Sequence, residues 1–255
     1  MTIVSGLADI SLWQLLLVAG MALFASLIGG LAGYGTGALM PLVLVPMVGA
    51  EPVVPIIAIS AVFANLSRST AYFRYIDRRR VLIVSLCATL TTALGAYGYT
   101  RLGNAGAALV IGSMLMLSVP LRRVLRRRAV RIGDTMLAAG AVGYGVVVGG
   151  TSGSGVILLS LLMAAGLEGA AVIATDSVIS VITSIIKISV FGLAGVITAQ
   201  VLAFAILIGA IGVPGAFLAR AFVERMPVHI HAAILDAAVI AGGLMMISAA
   251  ARQLF

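Results

Sequence analysis

The chain has 255 residues, of which 62% are hydrophobic and 9% are charged, and its mean hydropathy is +1.22. A soluble domain is about half apolar and about one quarter charged, so a water-soluble globule is excluded. The long apolar runs do not alternate between apolar and polar residues as the strands of an outer-membrane barrel do. The composition therefore indicates an all-α integral membrane protein, because a helix satisfies its own backbone hydrogen bonds in hydrocarbon.

The first region, 11–49, is apolar but is interrupted by a glycine cluster, and it resumes as a stretch of about 13 residues, shorter than a normal membrane span. A second region of this kind covers 133–166. Each is expected to form a broken hairpin, either re-entrant or fully spanning. Six uninterrupted spans are predicted at 53–73, 80–101, 104–122, 169–190, 197–220 and 229–252. The total is therefore about eight to ten membrane segments.

The net charge of +8 comes from basic residues that gather in three connections, at 74–80, 122–131 and 220–225. Basic connections usually face the cytoplasm, which predicts that both termini are external. The arginine run at 122–131 is expected to contact anionic lipid of the bilayer. Nucleic-acid binding is not expected, because it would need an exposed domain.

An internal repeat is present. Gly29, Gly30, Gly33 and Gly35 of IGGLAGYG match the glycines of VGGTSGSG at a constant offset of 120 residues. We predict a first repeat over 1–124, a basic linker over 125–132 and a second repeat over 133–255. Each repeat holds a broken hairpin and three further helices, an odd number of crossings, so the repeats should be inverted. Inverted repeats with broken helices are typical of secondary transporters; the alternatives are a duplicated scaffold or glycines that only permit close helix packing.

Three motifs carry a resemblance to a known family: GGLAGYGTGALMP at 29–41, GGTSGSGV at 149–156 and the basic YIDRRR at 75–80. With the duplicated arrangement they resemble the TauE/SafE sulfite exporter family, also called the four-toluene sulfonate uptake permease family. The resemblance implies a secondary transporter of the bacterial inner membrane. It also implies a small sulfur-containing anion as substrate, such as sulfite, sulfoacetate or another organosulfonate, commonly moved outward.

The glycine clusters suggest where an anion could bind. Glycine lets backbone approach a ligand closely, and helices that begin after a break present free N–H groups that attract anions. We place the substrate between the two clusters near the membrane midplane, although serine and threonine there could instead only satisfy unwound backbone. The candidate substrate-binding residues are Gly33, Tyr34, Gly35, Thr36, Asn65, Arg68, Thr151, Ser152, Gly153, Ser154, Thr183 and Lys187.

Charged residues inside apolar runs are costly and are often functional. Asp176 lies on one helix face with Ser180, Thr183 and Lys187, and it is a candidate site for a coupling proton or cation; the alternative is a hydrogen bond between helices. Lys187 and Arg68 are expected at opposite mouths of the bundle, where they could draw in the anion or simply extend to the headgroups.

No enzyme signature, metal-ligand spacing or cofactor motif is found, so we expect a transporter without cofactor or metal. A non-transporting scaffold or partner subunit and an anion channel remain alternatives. A homodimer is a further possibility.

Overall fold

The structure, a computed structural model, describes residues 11–32, 35–127, 131–223 and 228–254. These residues form ten α-helices and one short 3₁₀ turn at Phe73–Tyr75. The helices are α1 Leu12–Ala32, α2 Gly35–Val48, α3 Val53–Ala71, α4 Arg78–Tyr99, α5 Asn104–Arg127, α6 Asp134–Gly150, α7 Gly155–Ala164, α8 Ala170–Leu193, α9 Ala199–Val223 and α10 Val228–Leu254.

This architecture is that of an all-α membrane protein. Among the residues whose side chains are described, α3, α4, α5 and α8 are long and apolar enough to span a bilayer. Their surfaces fit that environment, since Leu82, Leu86, Leu90 and Leu94 recur every four residues along α4 and all are exposed. A stripe at that spacing lies on one face of a helix, where it can contact lipid.

The second expected interruption is found between α6 and α7, whereas the first falls at residues 33–34, which lie outside the described residues. Helix α2 has 14 residues and α7 has 10. At 1.5 Å per residue these helices are about 21 Å and 15 Å long, well short of a hydrocarbon core of about 30 Å. Helices α2 and α7 are therefore too short to cross a bilayer, and we call them half-helices.

Several helix boundaries differ from the predicted ones. Helix α4 begins at Arg78 because Asp77 caps it, accepting a hydrogen bond from the backbone N–H of Arg80 at 3.0 Å. An aspartate in this position satisfies a free N–H of the first turn. Helix α5 continues to Arg127, so the first part of the predicted linker 125–132 is helical.

Helix packing follows one plan in both halves. Three contacts of the first half have a counterpart in the second half. The contact of α1 with α9 corresponds to that of α6 with α4, and the contact of α3 with α9 corresponds to that of α8 with α4. The contact of α2 with α10 corresponds to that of α7 with α5. Two further large contacts, α3 with α8 and α5 with α10, join corresponding helices of the two halves. A two-fold relation between the halves would produce this pattern. That the halves are inverted across the membrane stays a prediction.

Glycines make the contact between α4 and α6 very close. A Cβ atom added at Gly95 would meet the carbonyl oxygen of Val146, and one at Gly149 would meet that of Thr92. Small residues permit such approach between membrane helices. Gly149, one of the matched glycines of the repeat, is thus a packing residue, as the alternative interpretation of the glycines proposed.

Side chains from elsewhere hold the far ends of both half-helices. After α2, Gly49 has φ +81°. The backbone N–H of Ala50 donates to Asn104 Oδ1 at 2.6 Å, and the Tyr99 hydroxyl donates to the Ala50 carbonyl at 2.7 Å. After α7, Gly166 has φ +90°, and Arg80 donates to the Ala165 carbonyl at 3.2 Å. These anchors position the opposite, N-terminal ends of the half-helices.

Candidate anion-binding site

The N-terminal ends of the two half-helices border one cavity of about 100 Å³. Residues of α1, α2 and α3 from the first half and of α6, α7 and α8 from the second half form its walls. The cavity therefore lies between the halves, at the place where the two glycine-broken segments were expected to meet.

Nine of the twelve candidate substrate-binding residues line this cavity: Thr36, Asn65, Arg68, Thr151, Ser152, Gly153, Ser154, Thr183 and Lys187. Gly35 is the first residue of α2. Gly33 and Tyr34 lie outside the described residues. The candidate coupling residue Asp176 is buried one helical turn from the lining residue Ser180 but is not itself part of the wall. The structure thus brings together residues that are more than 150 positions apart in the chain.

The two half-helices touch at their N-terminal ends. A Cβ atom added at Gly37 would lie 3.1 Å from the backbone nitrogen of Gly153, so a side chain at Gly37 would require the two segments to move apart by a few tenths of an ångström. Gly153 has φ +83°, a conformation that glycine adopts without strain. The Ser152 hydroxyl bridges the two segments by donating a hydrogen bond to the Gly37 carbonyl. This contact places two helix N-termini on one cavity, and both favour negative charge there.

The hydroxyl groups of the wall differ in what they can offer a ligand. Ser152 donates to Gly37, and Thr183 donates to the Ser180 carbonyl at 3.2 Å, so both hydroxyl protons are already used. Ser154, the N-cap of α7, makes no side-chain capping hydrogen bond. A hydroxyl in this position can turn its proton toward a bound anion. We therefore distinguish Ser154, a candidate donor, from Ser152, which joins the two breaks.

Lys187 supplies a cationic group to the same wall. Its side chain is only 6% exposed, and neither of the ion pairs found within the described residues includes it. A buried ammonium without a counter-charge is costly, and the bound anion can provide that charge. Lys187 does not extend to the surface in this structure, unlike a snorkelling lysine.

Arg68 supplies a second cationic group, from α3. Its Nη2 donates to Asn65 Oδ1, one turn earlier, at 2.7 Å, and its charge also interacts with the carboxylate of Asp176 on α8. Arg68 and Lys187 were expected at opposite mouths of the bundle. Instead they share one cavity, because α3 packs directly against α8.

Sequence reasoning missed several lining residues. Tyr144 of α6 is buried in the wall and lies within hydrogen-bonding reach of Thr183 and Ser180. The sequence feature that could have identified Tyr144 is that it is a single polar aromatic residue in an otherwise apolar and glycine-rich run. Ser26 of α1 also lines the cavity while donating to the Gly212 carbonyl at 2.6 Å. Nothing in its local sequence separates Ser26 from other serines of apolar helices.

A family model described as Sulfite exporter TauE/SafE matches residues 18–246. This range includes both half-helices and every residue that lines the cavity. No curated protein and no solved structure gives a significant match. The family consists of membrane exporters of sulfite and related sulfur anions, which are transporters and not enzymes. The match covers most of the chain, and the protein belongs to the TauE/SafE sulfite exporter family.

Proposed function

We propose that this protein is a secondary active transporter that exports a small sulfur-containing anion, such as sulfite or sulfoacetate, across the bacterial inner membrane. The observation that carries the proposal is the buried ammonium of Lys187 on the wall of a small cavity. With the guanidinium of Arg68 and the two helix N-termini, it makes the cavity suited to an oxyanion.

The size of the cavity supports a small substrate. A cavity of about 100 Å³ is well below the roughly 300–1,000 Å³ of pockets that hold drug-sized ligands. A sulfite ion or a sulfonate group with a short substituent is of this size. A larger organic anion would require the walls to move apart.

The proposed mechanism is alternating access around this cavity. Helices of both halves form its walls, and transporters built from repeats commonly rock one half or bundle against the other around a fixed site. We place the cavity near the membrane midplane, the basic connections in the cytoplasm and both termini outside. Asp176, buried beside the cavity, is the proposed site of the coupling ion.

The test is uptake and counterflow in proteoliposomes that contain the full chain, with radiolabelled sulfite and radiolabelled sulfoacetate, each with and without an imposed pH gradient. We expect flux that saturates with substrate, is stimulated by unlabelled anion on the opposite side, and increases with the gradient. Flux that does not saturate would indicate a channel. Absence of flux with every sulfur oxyanion, in protein that is folded and inserted, would reject the proposal.

A further inference from the structure

Asp176 is a buried carboxylate beside the proposed anion site. It is 2% exposed, and its Oδ1 accepts no hydrogen bond from the described residues. A carboxylate in such a place needs a compensating charge or a proton. The guanidinium of Arg68, which also lines the cavity, acts electrostatically on this carboxylate from the neighbouring helix α3. One cation is therefore shared between an internal carboxylate and the ligand site.

The other helices around α8 bring few competing charges to Asp176. Helix α6 contributes Tyr144, which lies near both Asp176 and the cavity. Asp77, the N-cap of α4, donates its N–H to Thr175 Oγ1 of α8, and its carboxylate pairs with Arg80 at 3.0 Å.

Neither of the remaining neighbours of α8 competes for Asp176. Helix α7 has no ionisable side chain. In the 3₁₀ turn that also contacts α8, Arg74 and Tyr75 are exposed. Arg68 is thus the cation through which Asp176 can act on the cavity.

The charge of the site depends on one proton. Arg68, Lys187 and an ionised Asp176 together carry one net positive charge, which matches a monovalent anion. When Asp176 takes up a proton, the net charge becomes two, and the carboxylate no longer attracts Arg68. The site then matches a doubly charged anion.

We infer that this transporter selects a small divalent oxyanion and carries it together with one proton on Asp176. This inference rests on the proposed function and specifies its substrate charge and coupling ion. A proton from water forms an O–H bond to the Asp176 carboxylate, and Arg68 turns its charge to the dianion. On the other side of the membrane the anion leaves, the O–H bond breaks, the proton returns to water, and the ionised Asp176 again attracts Arg68. Asp176 is a positioning residue, since it acts through Arg68 and does not line the cavity.

Each cycle then moves one net negative charge. The experiment measures current and labelled flux together, in proteoliposomes of the full chain with sulfoacetate, which carries a sulfonate and an ionised carboxylate at neutral pH. We expect one elementary charge per sulfoacetate, and a several-fold faster flux when the side that holds the substrate is acidified. Two charges per sulfoacetate would overturn the inference while leaving the proposed function intact. Absence of any flux would reject both.

Substitution separates the role of Asp176 from general effects of pH. In Asp176→Asn we expect the ratio of fluxes with and without the pH gradient to fall to one and the charge per sulfoacetate to rise to two. The control is Asp134→Asn, which removes a partly exposed carboxylate paired with Arg79 and should keep the wild-type ratio. An Asp176→Asn flux that responds to pH like the wild type would overturn the inference. If that variant does not fold, the charge measured per sulfoacetate in the wild-type protein decides.

Discussion

At the scale of the residue, Lys187 is chemically unique in this protein. It is the only lysine among the 16 basic residues of the chain, and the other 15 are arginines. Arginine keeps its charge and forms planar contacts, whereas the lysine ammonium is a compact point charge on a flexible stem. The chain thus places its one lysine in the wall of the cavity, where its amine can be followed by chemical labelling.

We predict that sulfite or sulfoacetate protects Lys187 from an amine-reactive reagent. A bound anion occupies the cavity and lies against the ammonium, so the labelled fraction of the Lys187 peptide, measured by mass spectrometry, should fall several-fold at saturating anion. The N-terminal amine provides the internal control and should label equally with and without the anion. Equal labelling of Lys187 under both conditions would place the substrate elsewhere.

Gly153 permits a second test at this scale, because it combines a left-handed backbone with a close approach to Gly37. Gly153→Ala should abolish most transport, since the Cβ must fit beside Leu115 at 3.2 Å and the backbone conformation costs about 1 kcal/mol. The matched control is Gly195→Ala, which has φ +72° and no neighbour within 4 Å.

Both glycine variants should insert into the membrane, which detergent extraction and size-exclusion chromatography can verify. Flux in Gly195→Ala should remain close to that of the wild type. Equal fluxes in the two variants would show that the break between α6 and α7 does not need glycine for transport.

At the scale of the element, the tight contact between α4 and α6 gives a test of stability. In α6, a Cβ at Gly145 would meet Thr91 and the Ala88 carbonyl of α4, whereas Gly143 has no neighbour within 4 Å. Gly145→Ala should therefore destabilise the protein by about 1–3 kcal/mol through overpacking. Gly143→Ala should be neutral or slightly stabilising, because alanine favours helix.

The two alanine variants differ by two positions in one helix, so their thermal unfolding in detergent is directly comparable. We expect the Tm of Gly145→Ala to fall by several degrees and that of Gly143→Ala to stay near the wild-type value. Equal values would indicate that α4 can move away from α6 without loss.

At the scale of the whole molecule, the inverted relation of the two halves can be tested by labelling from one side. Glu51 follows α2 and Glu168 follows α7, and both side chains are exposed. In a Cys87→Ser background, which removes the single cysteine, Glu51→Cys should react with an impermeant maleimide from outside the cell. Glu168→Cys should react only after the membrane is opened. Labelling of both from the same side would contradict inversion.

The sequence by itself determined the class of the molecule and the outline of its elements. A long apolar run without alternation crosses a bilayer as a helix, because a helix satisfies its own backbone hydrogen bonds in hydrocarbon. The spans, the predicted interruptions at the two glycine clusters and the all-α class therefore follow from local composition. The candidate residues near the breaks followed from the same logic, because a short polar or glycine-rich segment inside an apolar run marks unwound backbone.

Only the tertiary structure decided which of these residues meet. Arg68 and Lys187 share one cavity because α3 packs against α8. Tyr144 joins them because α6 forms part of the same wall. Helix register within a sequence fixes which face a residue occupies, but not which helix that face will contact. The roles of Gly149 and Ser152 were decided in the same way. Gly149 lies close to the backbone of α4, and Ser152 donates a hydrogen bond to Gly37 across the two breaks. Neither contact can be predicted from the position of the residue in the chain.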